Sequence, residues 1–116
     1  MRILITGGAG FIGSAVTDAY LAAGHDVAVV DDLSSGSREH LDPRARLYRV
    51  DVRDAALDEV LADERPEVVS HHAAQVSIRR SVEDPRGDAS VNVLGSLNVF
   101  EAARRHGARR LIFAST

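Results

Sequence analysis

The chain has 116 residues, 45% of them apolar and 27% charged, and a net charge of −3; that suits one compact domain and lacks the basic footprint of a nucleic-acid binder. It has no cysteine, which removes disulfides and thiolate metal sites and suits a reducing, cytoplasmic setting. The short apolar run after Arg2 cannot serve as a signal-peptide core or a membrane span, and since all 14 basic residues are arginines, no lysine chemistry can run on this chain alone.

In chain order, Ile3–Ile5 reads as a strand running into the glycine-rich stretch TGGAGFIG. Ile12, Ala15, Val16 and Ala19 follow at helical spacing, with Gly24 placed to end that helix. Val27–Val30 is a second apolar run and Leu47–Val50 a third. Leu57, Val60 and Leu61 mark a second helix that stops before Pro66. Val68–Val69 predicts a fourth strand, followed by a long connection from Ala73 to Gly87. A third helix is expected from about Asp88 to His106, with Val91, Leu94, Leu97 and Phe100 on or near one face and Gly107 as its cap. Leu111–Ala114 is the fifth strand. Strands without alternation, separated by helices, predict an α/β fold: a Rossmann-like, doubly wound parallel sheet.

The glycines satisfy two overlapping patterns, Gly8-Gly10-Gly13 and Gly7-Gly10-Gly13. In either register the early glycines permit a tight turn and a close approach of backbone N–H groups to a pyrophosphate. The last lets the helix pack on the strand, with its N-terminus aimed at the phosphates. A glycine pattern alone is weak, but here a strand precedes it, a helix follows, and Asp31 ends the second strand 18 residues after Gly13. A carboxylate there can accept both hydroxyls of an adenosine ribose and would repel a 2′-phosphate, favouring NAD over NADP. Asp32 is the second candidate, pointing in a different direction. Asp51 sits at the same sheet edge, where it can reach the adenine amino group, while Asp54 suits a helix N-cap. The sequence HHAAQ, His71 to Gln75, ends the fourth strand, and its alanines would let a flat cofactor lie against backbone. The two histidines fall on opposite faces without further ligands, so no metal site is expected. Arg79 and Arg80, in the long connection, are candidates for a substrate phosphate.

TGGAGFIG from Thr6, DDLSSG from Asp31, HHAAQVSIRRSVEDP from His71, NVLGSLNVFEAA from Asn92 and RLIFAST from Arg110 occur in that order. Together they resemble the N-terminal part of the NAD-dependent epimerase/dehydratase family, extended short-chain dehydrogenases that act on nucleotide sugars. The resemblance implies roles. Gly7, Gly10 and Gly13 would shape the pyrophosphate turn, with backbone N–H groups from Phe11 and Ile12. Asp31 would hold the ribose, wrapped by Leu33, Ser34 and Gly36. Asp51 and Val52 would flank the adenine. Ala73, Ala74 and Gln75 would line the pyrophosphate and nicotinamide ribose, and Asn92 would support the sheet near the nicotinamide. Thr116 would hydrogen-bond the reacting sugar oxygen. His72 departs from the apolar or aromatic residue common in the family.

The implied parent activity is that of a nucleotide-sugar 4-epimerase of the UDP-hexose type, oxidising C4 transiently by hydride transfer to NAD. A 4,6-dehydratase and a non-catalytic NAD-binding module are the alternatives. A UDP-sugar is the expected partner, nucleic acid and membrane are not, and a homodimer is compatible. The family's Tyr-x-x-x-Lys pair is missing: Tyr20 and Tyr48 are followed four residues later by Gly24 and Val52. The chain is therefore expected to be an NAD-binding domain over residues 1–116, cut from a longer protein after about the fifth strand and inactive by itself.

Overall fold

In the computed structural model, which describes residues 1–114, the apolar runs form β1 (Arg2–Thr6), β2 (Asp26–Val30), β3 (Arg46–Tyr48), β4 (Val68–His71) and β5 (Arg110–Phe113). The helices are α1 (Phe11–Ala22), α2 (Ala56–Glu64), α3 (Ile78–Glu83), α4 (Pro85–Ala89) and α5 (Gly95–Arg105). A π-helical stretch, Ser90–Leu94, joins α4 to α5. All strand pairs are parallel, in the order β3-β2-β1-β4-β5. The chain builds outward from β1 to β3 and then returns to the other side of β1. The order reverses between β1 and β4, where open α/β sheets form their ligand crevice.

Alternate strand residues face opposite sides of the sheet. Leu4, Ala28, Val30 and Val69 pack against Leu57 and Leu61 of α2 and Val99 and Ala102 of α5. Ile3, Ile5, Val27, Val29 and Val68 pack on the other side with Leu21 of α1. Burial on both faces explains why β1, β2 and β4 read as unbroken apolar runs, and the expected doubly wound architecture is the one observed. β5 forms an exposed edge: all four of its residues are open to solvent.

Of the three helix faces expected from apolar spacing, that of α2 is the one observed, with Leu57, Val60 and Leu61 buried; those of α1 and α5 need correction, although Val16 and Phe100 pack partly against the core. On α1 the buried residues are Gly13, Thr17 and Leu21, whereas Ile12 is 65% exposed and Ala15 and Ala19 face solvent. The Thr17 hydroxyl donates to the Gly13 carbonyl (2.8 Å), so it is buried without an unmet bond. On α5 the buried residues are Gly95, Ser96, Val99, Ala102 and Ala103, while Leu94 and Leu97 are exposed. At its N-terminal end each helix buries only small residues, Gly13 and Thr17 on α1 and Gly95 and Ser96 on α5, while farther along Leu21 and Val99 reach the core. A Cβ on Gly95 would come within 2.8 Å of Val52 Cγ2.

The long connection is also more ordered than expected. Ser77 caps α3 by accepting from the Arg80 N–H, and Asp84 caps α4 by accepting from the Gly87 N–H, with Pro85 in the first turn. These are common helix-start signals, and they leave only residues 72–77 and Asp84 irregular. β3 ends at Tyr48 rather than Val50, because the Val50 N–H turns back to the Tyr48 carbonyl (3.0 Å).

Burial and apolar spacing thus disagree about α5, and urea unfolding separates them. Val99→Ala should cost about 2 kcal/mol through lost burial and a residual cavity. Leu97→Ala, the larger deletion, should stay within about 0.5 kcal/mol.

Candidate functional site

Three strand ends converge at the crevice. After β1 the chain turns at Gly7, whose φ of +71° is open mainly to glycine. A Cβ on Gly7 would come within 2.7 Å of the Ala73 nitrogen, and one on Gly13 would collide with the Gly7 carbonyl oxygen. The Gly10 N–H donates to that same carbonyl (3.1 Å). Gly7, Gly10 and Gly13 therefore form the turn itself. Gly8 serves packing, since a Cβ there would meet Val29 Cγ1 at 2.6 Å.

The turn delivers α1 with its N-terminus bare. Gly10 is the N-cap, no side chain caps the helix and its first turn holds no acid. Among the described residues, no hydrogen bond ends on the N–H of Phe11 or Ile12. Free N–H groups and the positive end of a helix dipole make an anion site. The Phe11 side chain itself is 94% exposed. An open groove of about 480 Å³ runs over this end, lined in part by Ala9, Gly10, Phe11, Ser14, Ser35 and His40. Sequence reasoning missed Ser14, Ser35 and His40; Ser35 lay inside DDLSSG, but nothing marked His40.

Asp31, at the end of β2, is buried. Its Oδ2 accepts from the Ala9 N–H (3.0 Å) and its Oδ1 from the Leu33 N–H (2.8 Å). Leu33 adopts φ +63° to make that bond, a conformation unusual for leucine that recurs at functional sites. A carboxylate offers about four acceptor positions, so two remain for a ligand. Asp32 does something else: it is exposed and accepts from the Ser34 N–H (2.9 Å), holding the loop's turn. Gly36 packs against the Ala9 carbonyl, where a Cβ would approach to 2.6 Å, and the Ser37 N–H donates to that carbonyl (3.2 Å).

Asp51 lies beyond the end of β3, gripped by Arg53 through Nη2 (2.6 Å), Nε (3.0 Å) and the backbone N–H (2.9 Å). Those bonds from Arg53 hold its carboxyl below the usual range. Most of its acceptor capacity is thus in use. The Val52 side chain is in the core beneath Gly95, and its carbonyl accepts from Asn98 Nδ2 (2.7 Å). Asp54 accepts from the Ala56 N–H (2.9 Å) at the start of α2.

After β4, the Ala73 N–H donates to Thr6 Oγ1 (3.1 Å), and Ala74 is exposed. Asn92, in the π-helical stretch, pairs with the Gln75 main chain, accepting from its N–H (2.7 Å) and donating to its carbonyl (2.9 Å). Asp88 Oδ1, which the sequence did not single out, accepts from both Asn92 Nδ2 (3.1 Å) and Gln75 Nε2 (2.8 Å). The amides of Gln75 and Asn92 therefore brace this loop. Arg79 pairs with Glu83 along α3 (3.0 Å). His71 and His72 diverge, His71 toward Ser96 of α5 (2.9 Å) and His72 toward Ser70 (2.7 Å). Thr116 lies outside the described residues.

With this geometry in place, comparison with known proteins decides the lineage. Residues 3–116 match the model of the NAD dependent epimerase/dehydratase family. The chain belongs to that family. It is 47% identical over 121 residues to the UDP-glucose 4-epimerase of Mycolicibacterium smegmatis, aligning over 100% of this chain and 39% of that protein. It is 41% identical over 116 residues to the Corynebacterium glutamicum UDP-glucose 4-epimerase, over 100% of this chain and 35% of that one. The crystal structure of Thermus thermophilus UDP-glucose 4-epimerase in complex with NAD superposes with a TM-score of 0.97 at 50% identity, covering 100% of this chain and 38% of that one. A Thermotoga maritima UDP-glucose 4-epimerase structure with UDP-glucose gives 0.97 at 44% identity, again over 100% and 38%. The chain thus spans less than two-fifths of the length of these relatives. No helix among the described residues is long and apolar enough to cross a membrane.

Burial lowers the pKa of His71 to about 4, with the neighbouring His72 charge adding to the effect. The unfolded chain takes up this proton near 6.5, the folded chain only near 4. Between those values the unfolded state binds more protons, so stability rises with pH. The contribution is complete above 6.5 and is lost as pH falls toward 4. It amounts to about 3 kcal/mol. Urea unfolding at pH 7 and pH 4.5 should show this loss in the natural chain and a much flatter profile in His71→Phe.

Proposed function

We propose that this chain is the NAD-binding domain, over residues 1–116, of a nucleotide-sugar 4-epimerase that acts on a UDP-hexose. One juxtaposition carries the reading. An uncapped helix N-terminus without acids stands beside a buried carboxylate that keeps two acceptor positions free. The first suits a pyrophosphate and the second a ribose diol, which are the two polar groups at the adenosine end of NAD. The turn fits the group too, since Cβ atoms at Gly7 and Gly13 would fill the cradle.

In this reading Phe11 and Ile12 give their N–H groups to the pyrophosphate, and Asp31 accepts from both ribose hydroxyls. Leu33, Ser34 and Gly36 keep the loop wrapped over the glycine turn. Asp51 and the Val52 main chain flank the adenine. Ala73 and Ala74 present backbone to the nicotinamide end, while Gln75 and Asn92 hold that wall in place. Bound NAD would supply the acceptor for a hydride from the sugar's C4. Thr116 is assigned the hydrogen bond to the oxygen on that carbon, on resemblance alone. The proton-accepting tyrosine of the family's reaction has no counterpart at Tyr20 or Tyr48. A second copy and a cytoplasmic setting, where such a substrate is met, belong to the same proposal; exposed Val93, Leu94 and Leu97 on one run of helix suit a protein contact.

Calorimetric titration of the protein that carries this chain tests the reading. NAD should bind more tightly than NADP, because Asp31 repels a 2′-phosphate, and Asp31→Ala should weaken NAD by at least about tenfold. Tighter binding of NADP would overturn the assignment.

A further inference from the structure

His71 joins three elements at the point where the sheet order reverses. It is paired in register with Thr6 across the β1–β4 seam, is only 2% exposed, and lies against the rings of Phe100 and Phe113, whose centroids are 6.0 and 5.9 Å from its own. Both ring nitrogens have partners: Nδ1 with Thr6 Oγ1 (2.6 Å) and Nε2 with Ser96 Oγ (2.9 Å).

Counting hydrogens around these partners fixes the state of the ring. Ser96 donates its single hydroxyl hydrogen to the Asn92 carbonyl (2.7 Å), so toward His71 it can only accept, and Nε2 must carry a hydrogen. Thr6 Oγ1 already accepts from the Ala73 N–H (3.1 Å) and shares the His72 N–H (3.0 Å), which also donates to the Thr6 backbone carbonyl (3.0 Å). Its lone pairs face these two N–H groups, and Nδ1 is the partner left for its own hydrogen (2.6 Å), so Nδ1 must be bare. The two ends agree on a neutral ring protonated at Nε2. A hydrogen on Nδ1 would compete with those N–H groups for Oγ1 and leave the Thr6 hydroxyl hydrogen without its acceptor.

We propose that His71 is a positioning residue for the cofactor wall: in the Nε2–H form it turns the Thr6 hydroxyl so that its lone pairs face the main chain and hold the Ala73 N–H beneath the glycine turn, beside a His72 N–H that it shares with the Thr6 carbonyl. The bonds close into a circuit. Ser96 links His71 to Asn92, and Asn92 holds Gln75, so both ends of the His72–Gln75 segment hang on one network. That this segment lines an NAD site rests on the function proposed above. The tautomer and its hold on the backbone do not.

Two variants separate the two sides of the ring. His71→Asn keeps an acceptor near the Nδ1 position and loses the bond to Ser96. His71→Gln keeps a donor near Nε2 and loses the acceptor for Thr6. Both lose the aromatic packing equally. In the full protein, nitrogen-15 spectra of the His71 ring at pH 7 should show hydrogen on Nε2 and none on Nδ1. Amide exchange at Ala73 should be about tenfold faster in His71→Gln than in His71→Asn, and NAD should bind about tenfold more weakly. A hydrogen on Nδ1, a charged ring at pH 7, or equal exchange in the two variants would overturn the proposal. Should both variants unfold, the ring spectra of the natural protein decide it alone. Failure of the natural protein to bind NAD at all would instead sink the proposed function, with the spectra and exchange rates still deciding the role of His71.

Discussion

Gly7 comes so close to the backbone after β4 that no side chain can stand between them. The rest of the crevice depends on that approach. It lets β1 run straight into the turn while β4 ends alongside, so the first glycine and the HHAAQ segment form one surface. It brings the Gly7 carbonyl under α1, where Gly10 bonds to it and Gly13 must lack a Cβ. The N-terminus of α1 then points into the space between the two strand ends. A larger residue at Gly7 would push the turn from the strand and the helix from the turn.

Around this seam the polar side chains divide into those that face outward with spare capacity and those already spent on the fold. Asp31 is fixed by two backbone donors and still has acceptor positions to offer. The side-chain amides of Asn92 and Gln75 are spent on the loop itself, with Asp88 and Ser77 as partners. The π-helical stretch at Ser90–Leu94 contains Asn92, and such local widening of a helix is common near functional sites. Rigidity built in this way keeps a flat, backbone-lined wall in place without placing charge on it.

The strands, the glycine turn and Asp31 were legible in the sequence because each has a signature that does not depend on the rest of the fold. Unbroken apolar runs declare strands buried on both sides. A glycine pattern followed by an acid at the end of the next strand declares the turn and its partner. The stripe of α2, Leu57, Val60 and Leu61, was legible too, but the faces of α1 and α5 were not. Apolar spacing marks large side chains, but where a helix lies close to a sheet the buried positions go to Gly13, Thr17, Gly95 and Ser96. Their burial depends on the distance between layers, a tertiary quantity. The separate duties of Asp31 and Asp32 were equally hidden, since they follow from a loop that puts Leu33 at positive φ. Asp88 could have been found four residues before Asn92, as a carboxylate and an amide on one helical face. Nothing local announced Arg53 as the partner that occupies Asp51.

The central claim is that the glycine turn and Asp31 together hold one NAD molecule. A crystal structure of the protein carrying this chain, grown with NAD, tests it most directly. The account predicts the pyrophosphate within hydrogen-bond reach of the Phe11 and Ile12 N–H groups and the adenosine diol on the Asp31 carboxylate. A dinucleotide bound elsewhere, or an adenosine ribose turned away from Asp31, would contradict it.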